Sequence, residues 1–368
     1  DMSRLDVTPG GGTLLAKPPG MRDIIIDENA SEASGLLAIE NRAVLETQGW
    51  SLGFWTCSDE GRVERALGAL GKRKDSGDWE LCRVAGAKAT VRKKTEDCEG
   101  MARRGDWVYV FGSHFGTKTG PLEPRRHFTA RFNEARIDGH LDEATIDVEI
   151  ARGAFKLHRL INDALKESGI EVIEAGAEEA RQCIEKTRKI GKKKGKRWAG
   201  RIHEGDWPVN VEGVAFRDSG GLLLGLRYPV TREGQPILVE LDNIDKLFRD
   251  PPDTPSIRHL WVLENVGSAR EPRGIRALER KDGVFHAITG SLDSDPEESV
   301  LLQEHPEGER AESQHHRFTL PEVPWWTRVD AEPVTGVDVD SKVEGLAVDG
   351  KGRFRYVLDD DKIHLRSA

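Results

Sequence analysis

Cysteine, methionine and tyrosine are scarce in this chain, with 4, 3 and 3 residues among 368. Cys57, Cys82, Cys98 and Cys183 form no C-x-x-C pair and no regular spacing. That excludes a zinc knuckle and a dense disulfide framework, and it marks the cysteines as free thiols of a reducing compartment. Long apolar runs are also missing. Nothing approaches ~18 consecutive apolar residues, and the opening DMSRLDVTPGGG has no signal-peptide core, so a cytoplasmic protein with no membrane contact is expected. There is no excess of positive charge: the formal net charge is −9, which removes any general attraction to nucleic acid. No G-x-S-x-G elbow, Walker loop or H-E-x-x-H occurs, so the chain lacks three motif signatures of hydrolytic and nucleotide chemistry.

What is present is glycine and turn chemistry. Similar segments recur as EASGL at Glu32, CEGMA at Glu99, VEGVA at Glu212, GIRAL at Ile275 and VEGLA at Glu344. Each is followed by a second apolar run, with RRGD, RDSGG, KDG or DGKG between the two in four of the five, as tight hairpins require. Three spacings of 63–69 residues and one of 113 separate the markers. With strands such as RHFTARF, PILVELD and RHLWVLE between them, this predicts an all-β chain. The expected fold is a β-propeller of five four-stranded blades, six being the alternative count. Residues 1–20 read as a flexible segment and 21–368 as one propeller domain closed by strands from both chain ends. The long gap carries apolar residues at helical spacing and predicts a helical, Lys-rich insertion over 153–197.

In such hairpins the start of the first strand and the end of the second share one end of the blade. Glu32, Glu99, Glu212 and Glu344 then point into one small space, where a hard divalent cation such as Ca²⁺ would compensate them. On that reading His114 and Asp59 assist a bound water. Arg227, Arg276, Ser113, Glu60 and Asp360 hold a ligand at the channel mouth. The alternative is purely structural: the glutamates pair with Arg227 and Arg276 and do no chemistry. RKIGKKKGKR, residues 188–197, reads as a solvated basic loop or as a weak, salt-sensitive nucleic-acid contact.

VNVEGVAFRDSGGLLLGLRYPV with GIRALERKDGVFHAITG, and EDCEGMARRGDWVYVFGSH with RRHF, resemble a bacterial family of predicted β-propellers, domain-of-unknown-function family 3616. The resemblance spans most of the chain and implies the fold but no reaction. The E-G-x-A hairpins are also similar to calcium-dependent esterase-like and phytase-like propellers, and that similarity implies Ca²⁺ at the mouth. Two functions follow as expectations: an intracellular binding or scaffold module taking a protein partner or a small anionic ligand, or a divalent-metal hydrolase of phosphoesters or lactones.

Overall fold

The computed structural model describes residues 22–27, 33–90, 94–117, 119–173, 177–293, 299, 311–323, 325–335, 343–358 and 363–367. They are mostly strand, with few helices. After β1 (Arg22–Asp27), a first sheet is built in order from β2 (Ala33–Ala38), β3 (Trp50–Ser58), β4 (Leu67–Arg73) and β5 (Trp79–Arg83), with α1 (Arg42–Thr47) and α2 (Val63–Ala66) in its connections. The second sheet contains β6 (Ala87–Ala89), β7 (Cys98–Arg104), β8 (Trp107–Gly112), β9 (Thr129–Asn133) and β10 (Ile146–Ala151), with β6 added outside β10. Helices α3 (Lys156–Ser168) and α4 (Ala177–Lys193) follow. The third sheet is β11 (Asn210–Phe216), β12 (Leu222–Tyr228), β13 (Ile237–Asp242) and β14 (Ser256–Glu264). The fourth is β15 (Gly274–Lys281), β16 (Val284–Gly290) and β17 (Gln314–Phe318); next in the chain, β18 (Trp326–Asp330) joins β14 and β19 (Glu332–Pro333) joins β17. The fifth is β20 (Val343–Val348), β21 (Phe354–Leu358) and β22 (Ile363–Ser367), completed by β1, so strands from the two ends of the described chain are hydrogen-bonded neighbours.

Among the described residues no sheet closes on itself. Instead the first strands β2, β7, β11, β15 and β20 pack against one another in that order, and β20 returns to β2. Among the described residues, apolar side chains gather in five clusters, each between two adjacent sheets. Trp55 meets Phe132 between sheets one and two, for example, and Ile288 and Tyr356 are buried together between sheets four and five. Strands buried on both faces read as continuous apolar runs, and VEGVAF and LLLGLRY are buried throughout.

Glycine permits the close approach of the first strands. A Cβ on Gly100 would lie 2.8 Å from the backbone oxygen of Glu212, and one on Gly213 2.6 Å from Ile275 Cγ2. Backbone cannot yield as a flexible side chain can, so Gly100→Ala is expected to cost about 1–3 kcal/mol in denaturant unfolding. Gly200→Ala, with open space around it, should be neutral. Equal stability of the two variants would show that the inner strands have slack.

The insertion is not an appendage. Leu157, Ile161, Leu165, Cys183 and Ile184 share one cluster with Phe111, Leu224 and Leu226 of sheets two and three. The basic segment is also partly helical where a loop was expected: α4 continues through Gly191 to Lys193. Gly191 does not break the helix; it makes room for Trp198, whose ring would lie 2.5 Å from an added Cβ. The N-terminal segment 1–20 lies outside the described residues. No described helix is long and apolar enough to cross a membrane.

Candidate functional site

Each of the five first strands carries an irregularity at the same place. Pairing runs from Ala33 to Gly35, from Cys98 to Gly100, from Val211 to Gly213, from Ile275 to Ala277 and from Val343 to Gly345, with the intervening residue unpaired. A β-bulge re-aims the extra residue and bends the strand. Five equivalent bulges therefore set Ser34, Glu99, Glu212, Arg276 and Glu344 at one level. Ser34, Glu99, Glu212 and Glu344 line a gap of about 10 Å³ between the first strands, roughly enough for one water. Towards the other ends of these strands the space widens to a cavity of about 240 Å³, bordered by Glu40, Arg103, Glu279, Arg280 and Lys281. Burial pushes the Glu279 carboxyl there up to about 7.

At the bulge level the charges pair in part. Arg227, from the end of β12, donates from Nη1 to Glu212 Oε1 at 2.6 Å and from Nε to the Ser291 carbonyl at 3.0 Å. Arg276 pairs with Glu344 across sheets four and five, and its Nη1 lies 3.5 Å from Ser291 Oγ. The pairings expected of Arg227 and Arg276 with the strand-start glutamates are therefore present. Glu99 differs: no ion pair to it occurs among the described residues. Burial, then the charges of Asp97 and Glu212, push its carboxyl well above the usual range.

Asp97 joins this cluster. Its backbone N–H donates to the Asp59 carbonyl at 2.9 Å, and its carboxylate accepts from Ser113 Oγ and, at 2.9 Å, from Arg126 Nη1. Burial outweighs both donors and pushes it up to about 6. Asp59 is also raised, first by burial and then by neighbouring Glu60, which stands exposed on the rim. Ser113 binds within the framework: besides its bond to Asp97, its carbonyl accepts from Val211 N at 2.8 Å, tying sheet two to sheet three. Buried polar atoms converge here without hydrogen-bond partners: Asp59 Oδ1, Asn210 Oδ1, Glu212 Oε2 and Arg227 Nη2.

Of the residues proposed from sequence, Asp59, Glu99, Glu212, Arg227 and Ser113 are brought together, and Glu344 and Arg276 complete the ring. Glu32 and Asp360 lie outside the described residues, and the bulge position of the first sheet is held by Ser34. His114 points elsewhere. Its positive φ of 59° turns the ring under the helical insertion, where Nδ1 lies 3.3 Å from His127 Nδ1 and both rings are buried near His158 and Phe155. Burial depresses His114 to about 3. Among the described residues no cluster of His, Cys, Asp and Glu is arranged to hold a metal ion, and Glu212 and Glu344 face arginines. Asp97 and Asn210 were missed from the sequence. The signal was Asp/Asn-x-Glu-Gly: Asp97 precedes Glu99 by two residues as Asn210 precedes Glu212.

No protein-family model and no curated protein matches the chain. Among solved structures, it is similar to a glutaminyl cyclase from Myxococcus xanthus, at 11% identity and TM-score 0.39, covering 94% of each chain. An exo-1,5-α-L-arabinanase from a bovine ruminal metagenomic library is 7% identical at TM-score 0.42, covering 94% of this chain and 95% of the other. A Bacteroides ovatus protein described as xyloglucan PUL GH43B is 10% identical at TM-score 0.40, and the match covers 94% of this chain and 54% of that one.

Proposed function

We propose that this chain is a five-bladed β-propeller acting as a binding module, and that it takes a small polar ligand at the bulge-level mouth of its channel. The observation that carries this reading is the set of unpartnered buried atoms at Asp59, Asn210, Glu212 and Arg227. An unsatisfied buried polar group costs about 1–3 kcal/mol, so several in one place are tolerated most easily where another molecule completes them. Three of the four are acceptors, and Glu99, whose carboxyl is pushed well above the usual range, adds one acceptor and one O–H donor. The complementary ligand therefore presents several donors, hydroxyl or ammonium, and an acceptor each for Arg227 and Glu99.

The test is thermal melting against a panel of polyols, monosaccharides and primary amines. A true ligand raises the melting temperature with concentration by linkage, and Glu99→Leu, which removes both carboxyl oxygens, should abolish the rise. If every panel member leaves the melt unchanged, or Glu99→Leu responds as the parent does, the mouth is not the binding site.

A second reading, hydrolysis, has its own support. Glu99, whose carboxyl is disposed to keep its proton, stands beside Glu212, which is ion-paired with Arg227; two carboxyls in unlike environments are the requirement for acid–base chemistry. Product formation from a panel ligand, lost in Glu99→Gln while binding persists, would select this reading over simple binding.

A further inference from the structure

Away from the channel, the insertion and the loops that follow β8 and β10 border a cavity of about 520 Å³, within the ~300–1,000 Å³ range of small-molecule sites. Its apolar wall includes Leu122, Ile190 and Trp198. Its charged lining is Arg152, Lys194 and Lys196 against the single carboxylate of Glu123. This positive lining sits on a chain of net charge −9. The wall is held in place from both sides. Leu122 N donates to Thr187 Oγ1 at 3.0 Å, Lys186 Nζ donates to the Gly120 carbonyl at 3.1 Å, and Arg201 Nη1 donates to the Ala154 carbonyl at 2.7 Å. Trp198 stacks at a tilt on Phe155 with ring centroids 4.8 Å apart.

Arg152 is the informative residue. It is half-buried, its Nε donates to the Pro124 carbonyl at 3.2 Å, and no carboxylate pairs with it among the described residues. Burial, then the like charge of Arg125, works against its own charge and holds it below the usual arginine range. Lys194 and Lys196 stand exposed at the same cavity, also without a carboxylate partner among the described residues. A half-buried guanidinium that lacks a counter-charge is completed by an anion, and its planar fork suits a carboxylate or a phosphate.

We infer that this cavity binds an amphipathic anion: a carboxylate or phosphate head held by Arg152 with Lys194 and Lys196, and an apolar body laid against Leu122, Ile190 and Trp198. The site is separate from the channel mouth and does not depend on what binds there.

The test uses 8-anilinonaphthalene-1-sulfonate as probe on the full chain, read by its own fluorescence and by quenching of tryptophan emission. The parent protein should take up one equivalent saturably, more weakly as salt is raised. Arg152→Gln should weaken it at least tenfold. Lys194→Gln changes an exposed residue and so tests the site without risk to folding; it should weaken binding severalfold. Ile190→Glu, placing a negative charge at the apolar wall, should abolish it. Decanoate or phenyl phosphate should displace the probe while decanol should not, and whichever anion competes better identifies a long-chain acid or a phosphoester as the source. Unchanged probe affinity in folded Arg152→Gln and Lys194→Gln, or equal displacement by decanol, would overturn the assignment.

Discussion

Arg227→Met is expected to lower the unfolding free energy by about 3–5 kcal/mol, because it leaves Glu212 buried and uncompensated beside other carboxyls. Glu212 and Asp293 are the largest acidic influences on Arg227, and Glu99 also contributes, so one guanidinium serves several negative groups. Adding Glu212→Gln should recover much of the loss at pH 8, since removing both charges is far cheaper than removing one. Urea unfolding of the two single variants and the double variant at pH 8 measures all of this. A single variant within about 1 kcal/mol of the parent would mean that the pair does not hold the mouth together.

The second large effect is acid sensitivity from histidines held neutral. His114 is depressed to about 3, His127 lies well below its ordinary value, and His158 is lowered, in each case chiefly by burial. For each, the unfolded state takes up a proton near pH 6.5 and the folded state does not. Stability is thus complete above about pH 6.5 and is lost progressively as pH falls towards the folded values. At pH 5 each well-depressed histidine costs about 2 kcal/mol. The groups facing this cluster are Asp206, which bonds His158 and favours its charge, and Arg159, Lys166 and Arg152, which oppose charging. Asp97, at about 6, and Glu279, at about 7, work in the opposite direction, because the folded state gains protons there first. The whole-protein profile is therefore a sum, and a variant must isolate the histidine share. His114→Asn suits the left-handed backbone at this position. It should cut the stability difference between pH 7 and pH 5 by about 2 kcal/mol. An unchanged difference would show that His114 does not remain neutral in the folded state.

Much of the framework was legible because it is local. Each hairpin is written in a run of apolar residues, a turn such as RDSGG or KDG, and a second run, and these are the β11–β12 and β15–β16 pairs observed. The expected neighbourhood of Glu212 and Arg227 also follows from hairpin geometry and is found at 2.6 Å. The bulges were less legible. A one-residue bulge changes which residue faces the channel, and in the first sheet it selects Ser34, two residues beyond the marker at Glu32.

Contacts between distant segments could not be read from either segment alone. Glu134 accepts from Trp55 Nε1 at 2.5 Å, from Arg103 at 2.7 and 2.9 Å and from Asn41 N at 3.1 Å, joining sheets one and two through residues 31 to 93 positions away. His114 looked like a mouth residue because it ends a second strand, yet its positive φ and the apolar shelter of the insertion turn it inward. Local patterning by itself determined the strands, the tight hairpins and the candidate carboxylates, since these depend on alternation and turn chemistry within about a dozen residues. Only the tertiary structure decided which carboxylate would lack a counter-charge, where the histidines would lie, and that Arg152 would border a basic cavity. Charge compensation and burial are set by groups far apart in the chain, and no spacing along it records them.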